Sequence, residues 1–401
     1  MWPQFFVGAH VDTSRSGEIF MDIARDSGTQ ARIDTLPRRR RTARAIANDL
    51  ALREAAVALI AESGWDALTF GSVAERAGLT VGAVYGRAES KAELGTDLWT
   101  SVLRQSLSDH FTLLHSTIDN GSAPELAKVH RTWSEPAPEL QAATELLIAA
   151  MFDEDLGEVI RADMADMVGG YCSLEDGRPA ASAASSALAM GAGFGRVLAG
   201  TAGVASAPST KASAQREIDM SRSKGRGKAI PKGPEFMFMR TSSTDDPHQD
   251  LLQMAALNVV GRVGYRRATV ARICRTAQVS SGSMFARYDS KASLVVSAAD
   301  SLLVPPGEET AAFADIKRAH GPAVAKAAQL RRSLDPAKSP QWALRLELAR
   351  VASHETDLQP IDLIATPDQQ FALGMGLMAA YGSGIDQLPF VVPFSAAAGT
   401  K

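Results

Sequence analysis

The chain says nearly the same thing twice. Residues 78–94 read "GLTVGAVYGRAESKAEL" and residues 278–294 read "QVSSGSMFARYDSKASL". Setting residue n against residue n+200 over 55–94 needs no gap and gives 11 identities in 40 positions. Common residues recurring at about 6–7% would give roughly two or three by chance. Most substitutions are physical equivalents, such as Trp65/Tyr265, Val73/Ile273, Leu79/Val279, Thr80/Ser280 and Tyr85/Phe285. Two weaker echoes follow in the same order. "ATELLIAAMFDEDL" (143–156) parallels "RLELARVASHETDL" (345–358), sharing Glu145/Glu347, and "SALAMGAG" (186–193) parallels "FALGMGLM" (371–378). A repeat this long is not a solenoid period. It is a duplicated two-part unit, roughly 38–204 and 247–390.

Within the first copy, Leu52, Ala56, Leu59 and Ile60 fall on one helical face. Gly64 follows where a C-terminal cap needs positive φ. Thr69 offers an N-cap hydroxyl to a short helix, 70–77, which Gly78 breaks. Thr80 caps a second short helix near 81–87. Lys91 opens a long amphipathic stretch carrying Leu94, Leu98, Val102, Leu107, Phe111 and Leu114. Two short helices joined by a three-residue turn form the frame of a helix-turn-helix. Val73, Leu79 and Val84 are spaced to plug its interior, and the second short helix is placed to enter a major groove.

At this point the segment "GWDALTFGSVAERAGLTVGAVYGRAESKAEL" (64–94) resembles the DNA-binding segment of the TetR/AcrR family of transcriptional regulators. The resemblance covers about 50 residues in each half. It implies an all-α fold of two units, each a three-helix helix-turn-helix domain followed by a helical ligand-binding and dimerisation bundle. It also implies residue roles. Thr69 contacts phosphate while capping; Thr80, Val81 and Ala83 approach bases or backbone; Tyr85 and Lys91 bind phosphates; Arg87 adds a backbone contact. Carried to the second copy, the positions are Thr269, Ser280, Ser281, Ser283, Phe285, Arg287 and Lys291. Upstream, Arg38, Arg39, Arg40, Arg41 and Arg44 form a basic arm suited to a neighbouring phosphate or a narrow minor groove.

The copies differ in chemistry. Phe285 lacks the hydroxyl of Tyr85. Gln278 stands where Gly78 does, at a cost of ~1 kcal/mol if φ is positive there. Tyr288 supplies an aromatic where the first copy has Ala88. Residues 64–91 balance Arg76, Arg87 and Lys91 against Asp66, Glu75 and Glu89. Residues 264–291 set Arg266, Arg267, Arg272, Arg275, Arg287 and Lys291 against Asp289 alone. The second copy therefore draws polyanions more strongly by counterion release. With Ser280, Ser281 and Ser283 in place of Thr80, Val81 and Ala83, the two readers should prefer different half-sites.

The expected organisation is a poorly ordered leader over 1–36 and a first helix-turn-helix domain over 37–94. A first bundle follows over 95–204, then a flexible basic linker over 205–246 that is rich in Ser, Gly, Pro, Lys and Arg. The second helix-turn-helix domain spans 247–294, the second bundle 295–390, and a fraying tail 391–401. The "AMGAG" and "GMGLM" segments resemble the family's dimer-interface helices. Packed on each other they would make one chain an intramolecular pseudo-dimer, with pairing of two whole chains as the alternative. Trp99, Phe111, Trp133 and Phe152 in the first bundle, and Phe313, Trp342, Phe371 and Tyr381 in the second, serve either core packing or an effector pocket.

Other chemistries find little support. The chain is 45% apolar and 22% charged with a net charge of −3, so affinity for polyanions must be local. Cys172 and Cys274 have unrelated contexts, with neither metal spacing nor a disulfide framework, which suits a reducing, cytoplasmic setting. No apolar run reaches the ~18 residues of a membrane span. "GAGFG" (191–195) follows no strand and reads as close helix packing, not a nucleotide loop. Asp153, Glu154 and Asp155 read as a solvated helix end. No nucleophile–base set, metal or cofactor site is evident. The sequence thus points to a regulator, expected to be a repressor, that binds double-stranded operator DNA and answers to a small-molecule effector. Two rival readings stand beside it: one half as a degenerate dimerisation module, or bundles that house an unrecognised enzyme site.

Overall fold

The computed structural model describes residues 43–172, 180–206, 208–222, 239–240, 244–304 and 311–398. Arg38–Arg41 and the leader lie outside them. The first head consists of α1 (Ala43–Ala67), α2 (Phe70–Arg76) and α3 (Val81–Tyr85). Gly64 breaks α1 with φ 78° and ψ 161°, as the sequence reading requires. Leu52, Ala56 and Ile60 are buried against Val73, Ala74 and Val84, while Leu79 is half-buried.

The first body follows as α4 (Lys91–Leu98), α5 (Arg104–Asn120), α6 (Ala123–Ser134), α7 (Pro138–Ala149), α8 (Glu154–Cys172) and α9 (Ala180–Thr201). A π-helical turn, Trp99–Leu103, joins α4 to α5. That turn shifts the register, so the buried stripe reads Leu94, Leu98, Leu103, Leu107, Phe111 and Leu114. This one extra residue leaves Val102 half-buried at the edge of the core.

The segment expected as linker is partly a helix, α10 (Lys211–Ser221). Thr210 and Ser213 make a capping box, and Ala214 and Ile218, four residues apart, are buried against the first body. Composition alone concealed this short amphipathic stripe. The second head is α11 (Pro247–Val263), α12 (Val270–Ala277) and α13 (Ser281–Phe285). It is followed by α14 (Lys291–Leu302), α15 (Ala311–His320), α16 (Pro322–Ser333), α17 (Ser339–Ala352) and α18 (Pro367–Tyr381). The expected tail is not a fray at its start. It forms α19 (Val391–Ala398), with Val391 and Val392 buried and the helix packed on α10 and α16.

Among the described residues the most extensive helix–helix contact joins α9 to α18, the two echoed glycine segments. Their backbones meet directly. A Cβ on Gly374 would lie 1.8 Å from the Gly191 carbonyl oxygen, and one on Gly195 would lie 2.2 Å from that of Gln370. Beside this crossing, Gly193 is flush against the Trp133 ring and Gly376 against the Trp342 ring. The glycines therefore exist for close approach, as "GAGFG" suggested. The Tyr381 hydroxyl crosses the seam to donate to the Leu147 carbonyl.

Trp99, Phe111, Trp133, Trp342 and Tyr381 are buried core. Trp133 stacks on Phe111 at 5.9 Å and meets Phe194 edge-on at 5.9 Å. The indole nitrogens of Trp99 and Trp342 donate to Asp163 and to the Ser333 carbonyl. Phe152 and Phe371 are half-buried, and the side chain of Phe313 lies outside the described residues. Cys172 and Cys274 are buried free thiols.

Gly374→Ala should cost about 3 kcal/mol or more, since backbone cannot yield to the added methyl. Gly169→Ala in α8, where a Cβ meets nothing within 4 Å, should instead stabilise by ~0.5–1 kcal/mol. Denaturant midpoints of the two variants would separate these effects.

Candidate nucleic-acid interface

Each head is built by the same local devices. Thr69 caps α2: its Oγ1 accepts from the Ser72 N–H (3.1 Å), and Ser72 Oγ accepts from the Thr69 N–H (3.0 Å). Thr269 caps α12 through the Arg272 N–H (3.3 Å). The turn after α2 closes with Leu79 N–H to Ala74 O (2.9 Å) and Gly78 N–H to Glu75 O (3.1 Å). These are the two bonds of a Schellman cap. The second head repeats them from Val279 to Cys274 (3.0 Å) and from Gln278 to Arg275 (3.3 Å). Gly78 has φ 65°, and Gln278 is held at φ 56° and ψ 35°. Among the described residues it is the one non-glycine with positive φ. Thr80 then caps α3 through Ala83 (3.3 Å), and Ser280 caps α13 through Ser283 (3.0 Å).

The helices so placed leave a common set of side chains outside. Thr69, Thr80, Val81, Tyr85 and Arg87 are exposed and Ala83 is half-buried. In the second head Thr269, Ser280, Ser281 and Phe285 are exposed, with Ser283 and Arg287 half-buried. Tyr85 and Phe285 are 58% and 55% exposed. Both heads thus hold a large ring in solvent at the same place. Tyr85 is steadied edge-on by Phe70 at 4.7 Å. Arg44 lies exposed in the first turn of α1.

The basic groups are less free than the sequence suggested. Arg87 pairs with Asp49 of α1. Arg287 pairs with Asp246 (2.6 Å) and also donates to the Ser283 carbonyl (2.9 Å). The Arg287 hydrogen bond holds the Asp246 carboxyl below its usual range. Lys91 turns inward, its Nζ donating to the Asp66 carbonyl (3.2 Å) and lying 4.6 Å from the Trp65 ring centre. Lys291 does the same with the Tyr265 carbonyl (2.9 Å) and ring (3.7 Å). Burial lowers both ammonium groups, Lys91 to about 8. These recurring lysines tie the body's first helix to the hinge of the head, which leaves any phosphate contact to their remaining N–H bonds.

The hinges themselves converge on a cluster that the sequence reading missed. The backbone N–H after each hinge glycine donates to an acid of its own half: Trp65 to Glu145 Oε1 (2.9 Å) and Tyr265 to Glu347 Oε1 (2.7 Å). Arg350 joins the two acids, with Nε to Glu347 (2.8 Å) and a terminal nitrogen to Glu145 (2.7 Å). Its other terminal nitrogen reaches Asp66 of the first head (2.7 Å). Burial opposes charge on Arg350, but the three carboxylates overcome it and hold its pKa well above the ordinary value. Glu145 is likewise buried and still held below its usual range, with Arg350 and His354 outweighing desolvation.

Each hinge also touches the opposite half. His354 backs Gly64, while Phe152, its counterpart in the echo, backs Gly264. Arg267 donates to the Phe152 carbonyl and to Asp153, both at 2.7 Å. Asp153 also accepts from the Leu156 N–H, so the acidic run is a helix end with an ion pair added. A groove of about 50 Å³ between the hinges is lined in part by Asp66, Phe152, Arg266 and Arg350. The sequence did hold a signal for this cluster: Glu145 and Glu347 are acids inside otherwise apolar runs, preserved between copies.

The family described as bacterial regulatory proteins, tetR family, matches residues 52–96 and 254–298. Each match falls on one head and the start of the helix behind it. The chain carries the TetR-family module twice, in tandem. Two such modules in one chain mark a DNA-binding transcriptional regulator. No curated protein matches the chain significantly. Among the described residues no helix is long and apolar enough to cross a membrane.

Two outcomes follow. Arg350→Met should cost roughly 3–5 kcal/mol, the usual penalty for stranding buried partner charges, read as a lowered unfolding midpoint. Gln278→Gly should stabilise the second head by ~1 kcal/mol through relief at positive φ, whereas Gly78→Gln should destabilise the first by a similar amount.

Proposed function

We propose that this chain is a repressor that grips one operator with two unlike TetR-family readers and lets go when a small molecule binds its body. The observation that supports this best is that both heads keep the complete helix-turn-helix: caps, Schellman turn, buried plug and an exposed groove face. The heads would reach bases by different chemistry, hydroxyls at Ser280 and Ser281 against Thr80 and Val81, and the second would lean on Arg272 and Arg275 for its electrostatics. In the first head the basic arm, Arg38–Arg41 with Arg44, and the exposed Tyr85 would supply backbone contacts. The α9–α18 crossing supports an intramolecular pseudo-dimer, since the two segments that resemble the family's dimer-interface helices pack on each other. The protein would act on cytoplasmic DNA.

Release would work through the hinges. A ligand alters operator affinity only by favouring one arrangement of the heads over another. The shared Arg350 cluster is the place where a shift of one body half would be felt by both heads.

Selection of bound sequences from a random DNA pool should return two unlike half-sites, and sedimentation should show one chain per site. Arg272→Ala with Arg275→Ala should flatten the log K against log salt slope by about two. A palindromic selected site bound by two chains, with the salt slope untouched by the double substitution, would instead mark the second head as a mere pairing module.

A further inference from the structure

We propose that a compact, uncharged phenol binds in a cavity at the seam between the two halves, outside either bundle core. The proposal rests on the regulator reading, which calls for an effector. The cavity holds about 140 Å³, near the ~150 Å³ that admits benzene in an engineered apolar cavity of another protein. Its apolar wall is Leu188, Ala189 and Ala192 of α9, Met220 of α10, Phe371 of α18 and Phe394 of α19. Two of these helices, α10 and α19, come from the stretches that composition assigned to linker and tail. The site therefore belongs to this tandem arrangement and not to a single unit.

Two polar atoms stand out in this wall. Ser185 of α9 lines the cavity, is 4% exposed, and its hydroxyl is buried without a hydrogen-bond partner. Glu217 of α10 also lines it. One of its carboxylate oxygens lies 3.3 Å from His130 Nε2, and that ring is fixed from its other side by Ser209 (2.7 Å). The second oxygen, Oε1, is buried and has no donor. Leaving a buried carboxylate oxygen unsatisfied is costly, so a ligand that donates there regains that loss.

The surrounding charges select the donor. His130 faces Glu217 from α6, and the buried Arg196 guanidinium of α9 feels its field. Lys326 of α16 stands exposed at the mouth, 5.8 and 5.4 Å from the Phe371 and Phe394 ring centres. With the Arg196 and Lys326 cations at this site, Glu217 lacks a hydrogen bond more than a countercharge. An ammonium would meet Lys326 at the entrance, and a carboxylate would meet Glu217 inside. A hydroxyl on an aromatic ring fits both limits: the ring lies on Phe371 and Phe394, and the O–H makes a charge-assisted bond to Oε1.

The test is calorimetric titration of the full chain, without DNA, with phenol, toluene, benzylamine and benzoate. Phenol should bind at least tenfold more tightly than the other three. Glu217→Gln should weaken phenol about tenfold, and Ala192→Leu should fill the cavity and abolish binding, each variant being checked for its native circular dichroism. If Ala192→Leu fails to fold, the Glu217→Gln titration decides alone. No phenol binding, toluene or benzylamine equal to phenol, or an unchanged Glu217→Gln constant would each overturn the site. A second titration, of operator affinity with and without phenol, separates the two readings. Phenol bound with operator affinity unchanged upholds the cavity and counts against release through it. Absent DNA binding with phenol still bound fails the regulator reading alone.

Discussion

A single buried guanidinium holds the arrangement of this protein together. Arg350 satisfies Glu347, Glu145 and Asp66 at once, and two of those acids also cap the backbone at the hinges of the two heads. A buried ion pair is seldom a net source of stability, because desolvation offsets much of its attraction. Its value here is geometric. Removing any member strands another charge, so the cluster has one satisfied arrangement, and that arrangement fixes where both heads leave the body.

Around that point the two halves repeat the same local contacts, with inequalities beside them. Glu145 and Glu347 play the same part, as do Lys91 and Lys291, and His354 and Phe152 occupy matching seats behind Gly64 and Gly264. The inequalities lie beside them. Arg53 and Asp97 form a bidentate pair in the first half, where Gln253 bonds Ser297 and Tyr288 in the second. The pattern of contacts survives while the chemistry that fills it changes, which is how two heads can share one frame and present different surfaces.

Much of this was legible in the residues. Caps at Thr69 and Thr80, the breaks at Gly64 and Gly78, and the strained Gln278 all follow from local backbone rules, and the heads obey them. Close packing at the glycine segments was legible for the same reason. What escaped had long-range causes. Ala214 and Ile218 are too few to announce a helix in a Ser- and Lys-rich stretch, and only the body beside them makes it fold. The π turn at Trp99–Leu103 left Val102 at the edge of the core in a way that no helical wheel foresees. Lys91 and Lys291 carried the right spacing for outward contacts, yet each found an aromatic ring and a carbonyl nearer at hand. Arg350 was invisible because its partners lie 3, 205 and 284 positions away.

Covalent linkage permits something that a pair of identical chains could not build. In a symmetric pair, any residue close to the axis is present twice, and two guanidiniums would have to share the space between Glu145 and Glu347. Here the position matching Arg350 in the other half is Ile148, fully buried and uncharged. Fusion lets each half keep a different residue at the centre, so a key can sit on one side and its lock on the other.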